Sequence, residues 1–357
     1  MTLWKNSCTI GSAALLFIAL SMQWTAAQDV APEFDYSRSG IKPKQIGNNF
    51  FGPQASPKST TDPLPPINDD VAYESYRCPT LLDNVFLFGG PNAFANKGDD
   101  NNPNNFGMVG GFNLSLPTGL QNLRYQFGFS HGAYDWMGRE GSAGTGGKPN
   151  SAELANYFTA GVYHRSDIMS DQPWSFGVVF DHFMGENWGE EDSYINLSQI
   201  RYQIGYAVSQ NDEIGFWGTQ NLDKDFFSVN GVDTARVQAQ RQANFYYSRM
   251  WFNHAVSTIY AGLTDDPGDW IIGTRMINPV SDRFATYANF HYVRPSTSVG
   301  DGGINRYSEA AYTLGFGCMI NFGGKLRSST ISGQNGMPYL PVADQGLFGL
   351  NIPTGNL

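Results

Sequence analysis

The residue pairs best suited to proton transfer are His131 with Asp135 and Asp181 with His182. Both read as fragments of a hydrolytic site rather than a complete one. Neighbouring side chains on an extended strand point to opposite faces, so Asp181 and His182 do not share a substrate if that stretch is a strand. His164, His254 and His291 are scattered, and neither a Gly-x-Ser-x-Gly elbow nor a His-Glu-x-x-His motif is present. The expectation is a protein that is not an enzyme and carries no cofactor. Two loops crowd oxygen donors of the kind Ca²⁺ prefers: Asp99-Asp100-Asn101-Asn102-Pro103-Asn104 and Asp265-Asp266-Pro267-Gly268-Asp269. Their spacing matches no established calcium loop. Asp99, Asp100, Asp265, Asp266 and Asp269 are therefore weighed as ligands against ordinary solvated loop residues.

A different chemistry, selection of solutes by charge, is suggested by residues that share the non-apolar parity of alternating runs. These are Arg124, Gln126, Asp181, Arg201, Gln203, Gln240, Gln242 and Arg275. Inward arginines in a pore favour anions. The same arginines paired with an inward carboxylate such as Asp181 are structural bridges, and both readings stand. Arg241 and Arg249 fall on the apolar parity of their run, which places them near strand ends or beyond a bulge.

The elements that carry these residues are strands. Leu123, Tyr125, Phe127 and Phe129 alternate with Arg124, Gln126, Gly128 and Ser130; Ile200, Tyr202, Ile204 and Tyr206 alternate with Arg201, Gln203, Gly205 and Ala207. Similar runs predict strands near 84–89, 105–116, 122–131, 154–165, 173–183, 194–208, 213–221, 236–251, 254–264, 270–277, 283–293 and 309–322, about twelve in all. Short connections, such as Ser209-Gln210-Asn211-Asp212, alternate with a second set, most of them longer and all rich in Gly, Asn or carboxylates: 90–105, 137–152, 185–193, 222–235, 265–269 and 295–308.

Each run has an apolar wall and a small or polar wall. In a soluble sandwich the apolar wall is hidden between sheets; in a membrane barrel it faces lipid and the polar wall lines the interior. Three features favour the barrel. The polar walls are rich in Gly and Gln, the strands are about ten residues long, and the connections alternate in length. Leu123, Tyr125, Phe127, Phe129, Ile200, Tyr202, Ile204, Phe316 and Ile320 are then expected outside, with Arg124, Arg201, Gln203 and Gly317 inside. Tyr125, Trp174, Tyr194, Trp217, Tyr247, Trp251, Trp270, Tyr287 and Tyr292 are expected at the membrane–water interfaces or on the apolar wall. Charged residues make up 15% of the chain, below the roughly 25% of soluble domains. The net charge of −10 argues against nucleic acid, which selects basic faces.

Residues 1–27 read as a signal peptide: Lys5, an apolar core from Ile10 to Met22, then Thr25-Ala26-Ala27. Residues 28–82 are polar and Pro-rich, a loosely packed lead segment. The barrel takes 83–322. Cys78 and Cys318 are the cysteines beyond the signal, either paired or free. The tail, 323–357, is broken by Gly323-Gly324, Pro338, Pro341 and Pro353, yet holds Tyr339, Leu340, Leu347, Phe348, Leu350 and Ile352. That is too apolar for a solvated linker, so the expectation is a segment packed on the short-turn mouth or entering the lumen, with a free tail as the alternative.

With its alternating runs, its short and long loops, and a closing strand that carries Gly317, Ile320 and Phe322, the chain resembles the porin-like bacterial outer-membrane β-barrel superfamily. The family usually ends at that last aromatic, whereas this chain continues to Leu357. The resemblance implies an all-β, antiparallel up-and-down transmembrane barrel in the outer membrane. It implies as partners outer-membrane lipid, the barrel-assembly machinery and small polar solutes, with oligomers allowed. The function it implies is a passive or weakly selective pore. The alternatives are a non-conducting structural or surface-binding barrel and a soluble exported β-sandwich that binds carbohydrate.

Overall fold

The computed structural model describes residues 81–95, 105–120, 123–135, 152–188, 193–229, 232–266, 268–294, 311–323, 326–328, 330–331 and 338–351. The signal segment, most of the Pro-rich lead, Cys78, Asp99 and Asp100 lie outside them. Among the described residues, fifteen strands occur in chain order: β1 Val85–Ala95, β2 Asn105–Pro117, β3 Leu123–Tyr134, β4 Glu153–His164, β5 Trp174–Trp188, β6 Ser193–Ala207, β7 Asp212–Asn221, β8 Lys224–Val229, β9 Val232–Ala239, β10 Gln242–Met250, β11 Val256–Thr264, β12 Trp270–Pro279, β13 Phe284–Arg294, β14 Ala311–Asn321 and β15 Leu350–Asn351.

β1–β7 and β10–β14 form a closed antiparallel barrel in which each strand pairs with its neighbours in sequence, except that β10 pairs directly with β7. Closure is made by β1 on β14, from Phe86↔Asn321 to Ala95↔Tyr312. Closure removes the open edges that a membrane-spanning sheet cannot leave unpaired in hydrocarbon. It also rules out the sandwich reading, because among the described residues no second sheet covers the apolar wall.

The pleat sorts the side chains as the period of two requires. Phe316 is 57% exposed and Val178 49% exposed on the outside. Tyr125, Phe127, Tyr202 and Ile204 are exposed with them, while Leu123, Phe129, Ile200 and Ile320, of the same parity, are partly covered. Gln126, Asp181 and Asn244, all 0% exposed, face inward, with Arg201 at 2%. A polar interior under an apolar exterior is the inverse of a water-soluble core and matches a lipid surround.

The structure corrects several sequence expectations. The stretch 236–251 is two strands. β9 ends at Ala239 and β10 begins at Gln242, and the break leaves Arg241 exposed at the long-loop end, donating to Asn221. The connection 222–235 holds β8 and the start of β9, which form a separate three-stranded sheet with β15. The first strand runs on through Gly90 and Pro91 to Ala95, and β5 continues to Trp188 across a register shift near Asn187. Trp217 and Tyr287 do not join an interfacial belt; they face the interior, where Trp217 is 6% exposed. Arg249, at the short-turn end of β10, lies 3.6 Å from Asp212 and over the Trp251 ring. Cys318 takes the outward parity of Phe316 on β14.

Candidate functional site

The barrel interior is the natural site, and a segment of the chain itself occupies much of it. After β14 the tail meets the short-turn mouth: Leu326 N donates to Asp282 O, Ser328 O lies 2.6 Å from His254 Nδ1, and Ile331 N donates to Gln210 O. Residues 338–348 then run up the lumen. Gln240 N donates to Gly349 O, and Leu350 and Asn351 pair with Ala239 and Gln238 of β9. The described tail therefore enters at the short turns and ends among elements of the long-loop end.

Side chains from seven wall strands hold this segment. Gln126 Nε2 on β3 donates to Leu340 O at 2.6 Å, with Asn113 of β2 more distant at 3.4 Å. Ser130 of β3 donates to Ala343 O, and Thr159 of β4 accepts from Ala343 N. Gln199 of β6 donates to Leu347 O, Gln242 of β10 to Gly346 O, and Asn289 of β13 to the Asp344 carboxylate. Most of these bonds go to the main chain of a segment without regular structure, whose buried amides and carbonyls need such partners. Asp344 also caps its own turn, its Oδ1 accepting from Gly346 N and Leu347 N.

The strongest anchor is an ion pair. Arg201 Nε and Nη2 donate to the two Asp181 oxygens at 2.9 and 3.0 Å, and the same Nη2 donates to Pro341 O at 2.7 Å. Thr159 and Gln199 complete the carboxylate shell. A second polar cluster lies nearer the short turns. There Tyr246 and Tyr339 both donate to Glu213 Oε1, at 2.7 and 3.2 Å, Arg165 donates to Pro338 O, and its guanidinium sits over the Tyr339 ring. At the long-loop end the packing is apolar: Phe348 and Leu350 join Tyr157, Phe183, Trp188, Ile195 and Val237.

Glycines on the wall make room for the tail. A Cβ at Gly128 would stand 2.4 Å from Val342 Cγ2, and one at Gly177 would stand 2.2 Å from Leu340 Cδ1. These inward glycines form a groove, a use of glycine for close approach.

The other sequence candidates also have places. Arg124 donates to Ser115 and Asn84 beside the short turns. Gln240 is buried, and Gln203 and Arg275 line a cavity of about 210 Å³ left beside the tail. The cavity extends from Val256 and Ile331 near the short turns to Tyr134 and Tyr157 near the long loops. Inward Tyr134, Tyr157, Tyr163, Tyr246 and Tyr260 were not singled out from the sequence; each sits among Gly, Gln, Asn or Thr on the polar parity, which was the signal available. Among the described residues no group of three or more His, Cys, Asp or Glu could hold a metal ion, and Asp265, Asp266 and Asp269 form none. Burial, and then the neighbouring Asp266 charge, raises the Asp265 carboxyl above its ordinary range. His131 contacts Asn156, and His182 contacts Ser198 on the face opposite Asp181.

Several solved outer-membrane proteins align with the chain at low similarity. Outer membrane phospholipase A from Escherichia coli aligns over 66% of this chain and 96% of its own, with 9% identity and a TM-score of 0.40. A KdgM porin in complex with disordered oligogalacturonate aligns over 67% and 99%, with 8% identity and a TM-score of 0.37. The anion-selective porin from Comamonas acidovorans aligns over 67% and 98%, with 9% identity and a TM-score of 0.30. No curated protein matches the chain in sequence. One family model does, over residues 84–350, from the first barrel strand to the residue at which the tail meets β9. The chain belongs to that family, the Family of unknown function (DUF6666).

Proposed function

We propose that the protein is an outer-membrane barrel held closed by its own C-terminal segment, so that the resting molecule conducts no hydrated solute. The observation that carries this reading is the set of wall side chains, from Asn113 to Asn289, that hydrogen-bond the tail inside the lumen. A freely open pore has no use for such a set. Twelve strands enclose more space than wall side chains alone fill, since eight-stranded barrels are the ones closed in that way. The tail fills the difference. In this reading the short-turn end faces the periplasm and the long loops face outward. Residues 1–27 direct export, and the assembly machinery inserts the barrel into outer-membrane lipid. No catalytic step belongs to it.

The alternative of a weakly selective pore for small polar solutes differs in one measurable respect. Planar-bilayer recordings of the intact, refolded protein should show no regular channel steps. The chain truncated after Lys325 should fold to the same heat-resistant barrel and conduct. Regular steps from the intact protein, equal to those of the truncated one, would overturn the closed reading.

A further inference from the structure

The arginines of the barrel interior differ in one respect. Arg124 donates to Ser115 and Asn84, Arg165 to Pro338 O, and Arg201 to Asp181 and Pro341 O. Arg275, inward on β12, lines the cavity and joins no ion pair and no hydrogen bond among the described residues. The tail carboxylate whose charge reaches it, Asp344, is committed to Asn289 and to two amides of its own turn. Tyr287 Oη and Asn289 Oδ1, on the adjacent β13, are buried without a hydrogen-bond partner and belong to residues lining the same cavity. A guanidinium shielded from bulk water calls for a compensating anion.

We infer that the cavity beside the tail is a binding site for a small carboxylate with an apolar, ring-sized body. The planar guanidinium of Arg275 matches a carboxylate in two-point geometry, and Tyr287, on the adjacent strand, carries an unpartnered hydroxyl. Polar residues such as Asn92, Thr258 and Glu213 share the lining, and Ile277 on the same strand as Arg275, Met319 on β14 and Phe86 and Phe88 on β1 give it an apolar wall. Such a wall disfavours a strongly hydrated phosphate or sulfate and suits an aromatic ring. The volume of about 210 Å³ is on the order of a dozen water-sized units, which limits the ligand to one ring and its acid group. This assignment deepens the plugged-barrel reading and rests on it, because residues 338–347 form one side of the cavity.

Benzoate is the probe, with benzyl alcohol as its uncharged counterpart, and Trp217, which lines the cavity, is the reporter. Titration of the intact refolded barrel should give a saturable change in tryptophan fluorescence with benzoate and a much weaker one with benzyl alcohol. Arg275→Met should weaken benzoate binding about 10-fold or more, the range of one charge-assisted contact. Arg275→Lys should recover part of it. Both variants should keep the heat-resistant barrel, since among the described residues Arg275 makes no hydrogen bond or ion pair for the substitution to break. Equal benzoate binding by wild type and Arg275→Met, or no saturable binding by the folded wild type, would overturn the site. Channel recordings on the same preparations report on the closed barrel separately, so either idea can fail alone.

Discussion

Arg201 offers the sharpest test of how the tail is held. Its guanidinium is 2% exposed, its partner Asp181 is fully buried, and it makes two contacts to that carboxylate and one to Pro341 O. Arg201→Met breaks all three and leaves Asp181 with Thr159 and Gln199 alone. Breaking a buried pair from one side costs about 3–5 kcal/mol. The double variant Asp181→Leu/Arg201→Met removes both charges, so the pair itself should come out near neutral. What remains is the charged hydrogen bond to the tail, about 1.5–3 kcal/mol. Urea unfolding of refolded protein, followed by tryptophan fluorescence, measures both. In the chain truncated after Lys325 the cost of the double variant should fall to near zero, because its tail partner is gone. A loss under about 1 kcal/mol for Arg201→Met in the full chain would refute the reasoning. So would a double-variant cost that survives truncation.

Three further outcomes follow from the same geometry. Val178→Lys, on the outer wall between Val162 and Tyr202, should destabilise the barrel by about 2–4 kcal/mol in bilayers if it sits near the midplane, while Trp174→Lys at the short-turn rim should have much less effect; equal stability losses would argue against a lipid-facing wall. Gly177→Phe should displace Leu340 from its groove and produce channel activity in a barrel that still resists heat; a silent, folded variant would count against the groove. An epitope fused after Leu357 should be labelled by antibody on intact cells, since Leu350 and Asn351 pair with β9 at the long-loop end; labelling only after the outer membrane is permeabilised would contradict that path.

What the sequence disclosed, and what it hid, follows from the range of each signal. The period of two is local, so a run such as Leu123 to Ser130 declares its strand and its two walls without knowledge of its neighbours. That is why the twelve wall strands are found close to their predicted positions. β8 escaped notice because Lys224-Asp225-Phe226-Phe227 does not alternate. The break at Gln240–Arg241 was hidden because polar residues keep the same parity on both sides of it. Parity also names the wall on which Arg201, Gln126 and Gln242 sit, but says nothing of what stands before them. Their partners Pro341, Leu340 and Gly346 are 140, 214 and 104 residues away in a segment with no period at all. Trp217 and Tyr287 were misassigned for a chemical reason: an aromatic ring suits both a membrane interface and a filled lumen.

The central claim, that residues 338–348 lie within the barrel, is tested most directly by a covalent trap. Gly177 and Leu340 face each other so closely that a Cβ on the glycine would meet the leucine side chain. In a chain with its native cysteines replaced by serine, Gly177→Cys/Leu340→Cys should link on oxidation or with a short bis-thiol reagent. Mass spectrometry of the digested protein should then recover the two peptides joined, and the linked barrel should stay silent in bilayers. Two results would contradict a tail seated in the lumen. One is failure to link under conditions in which both thiols react singly. The other is rapid labelling of the Leu340→Cys thiol by a bulky water-soluble reagent in the folded protein.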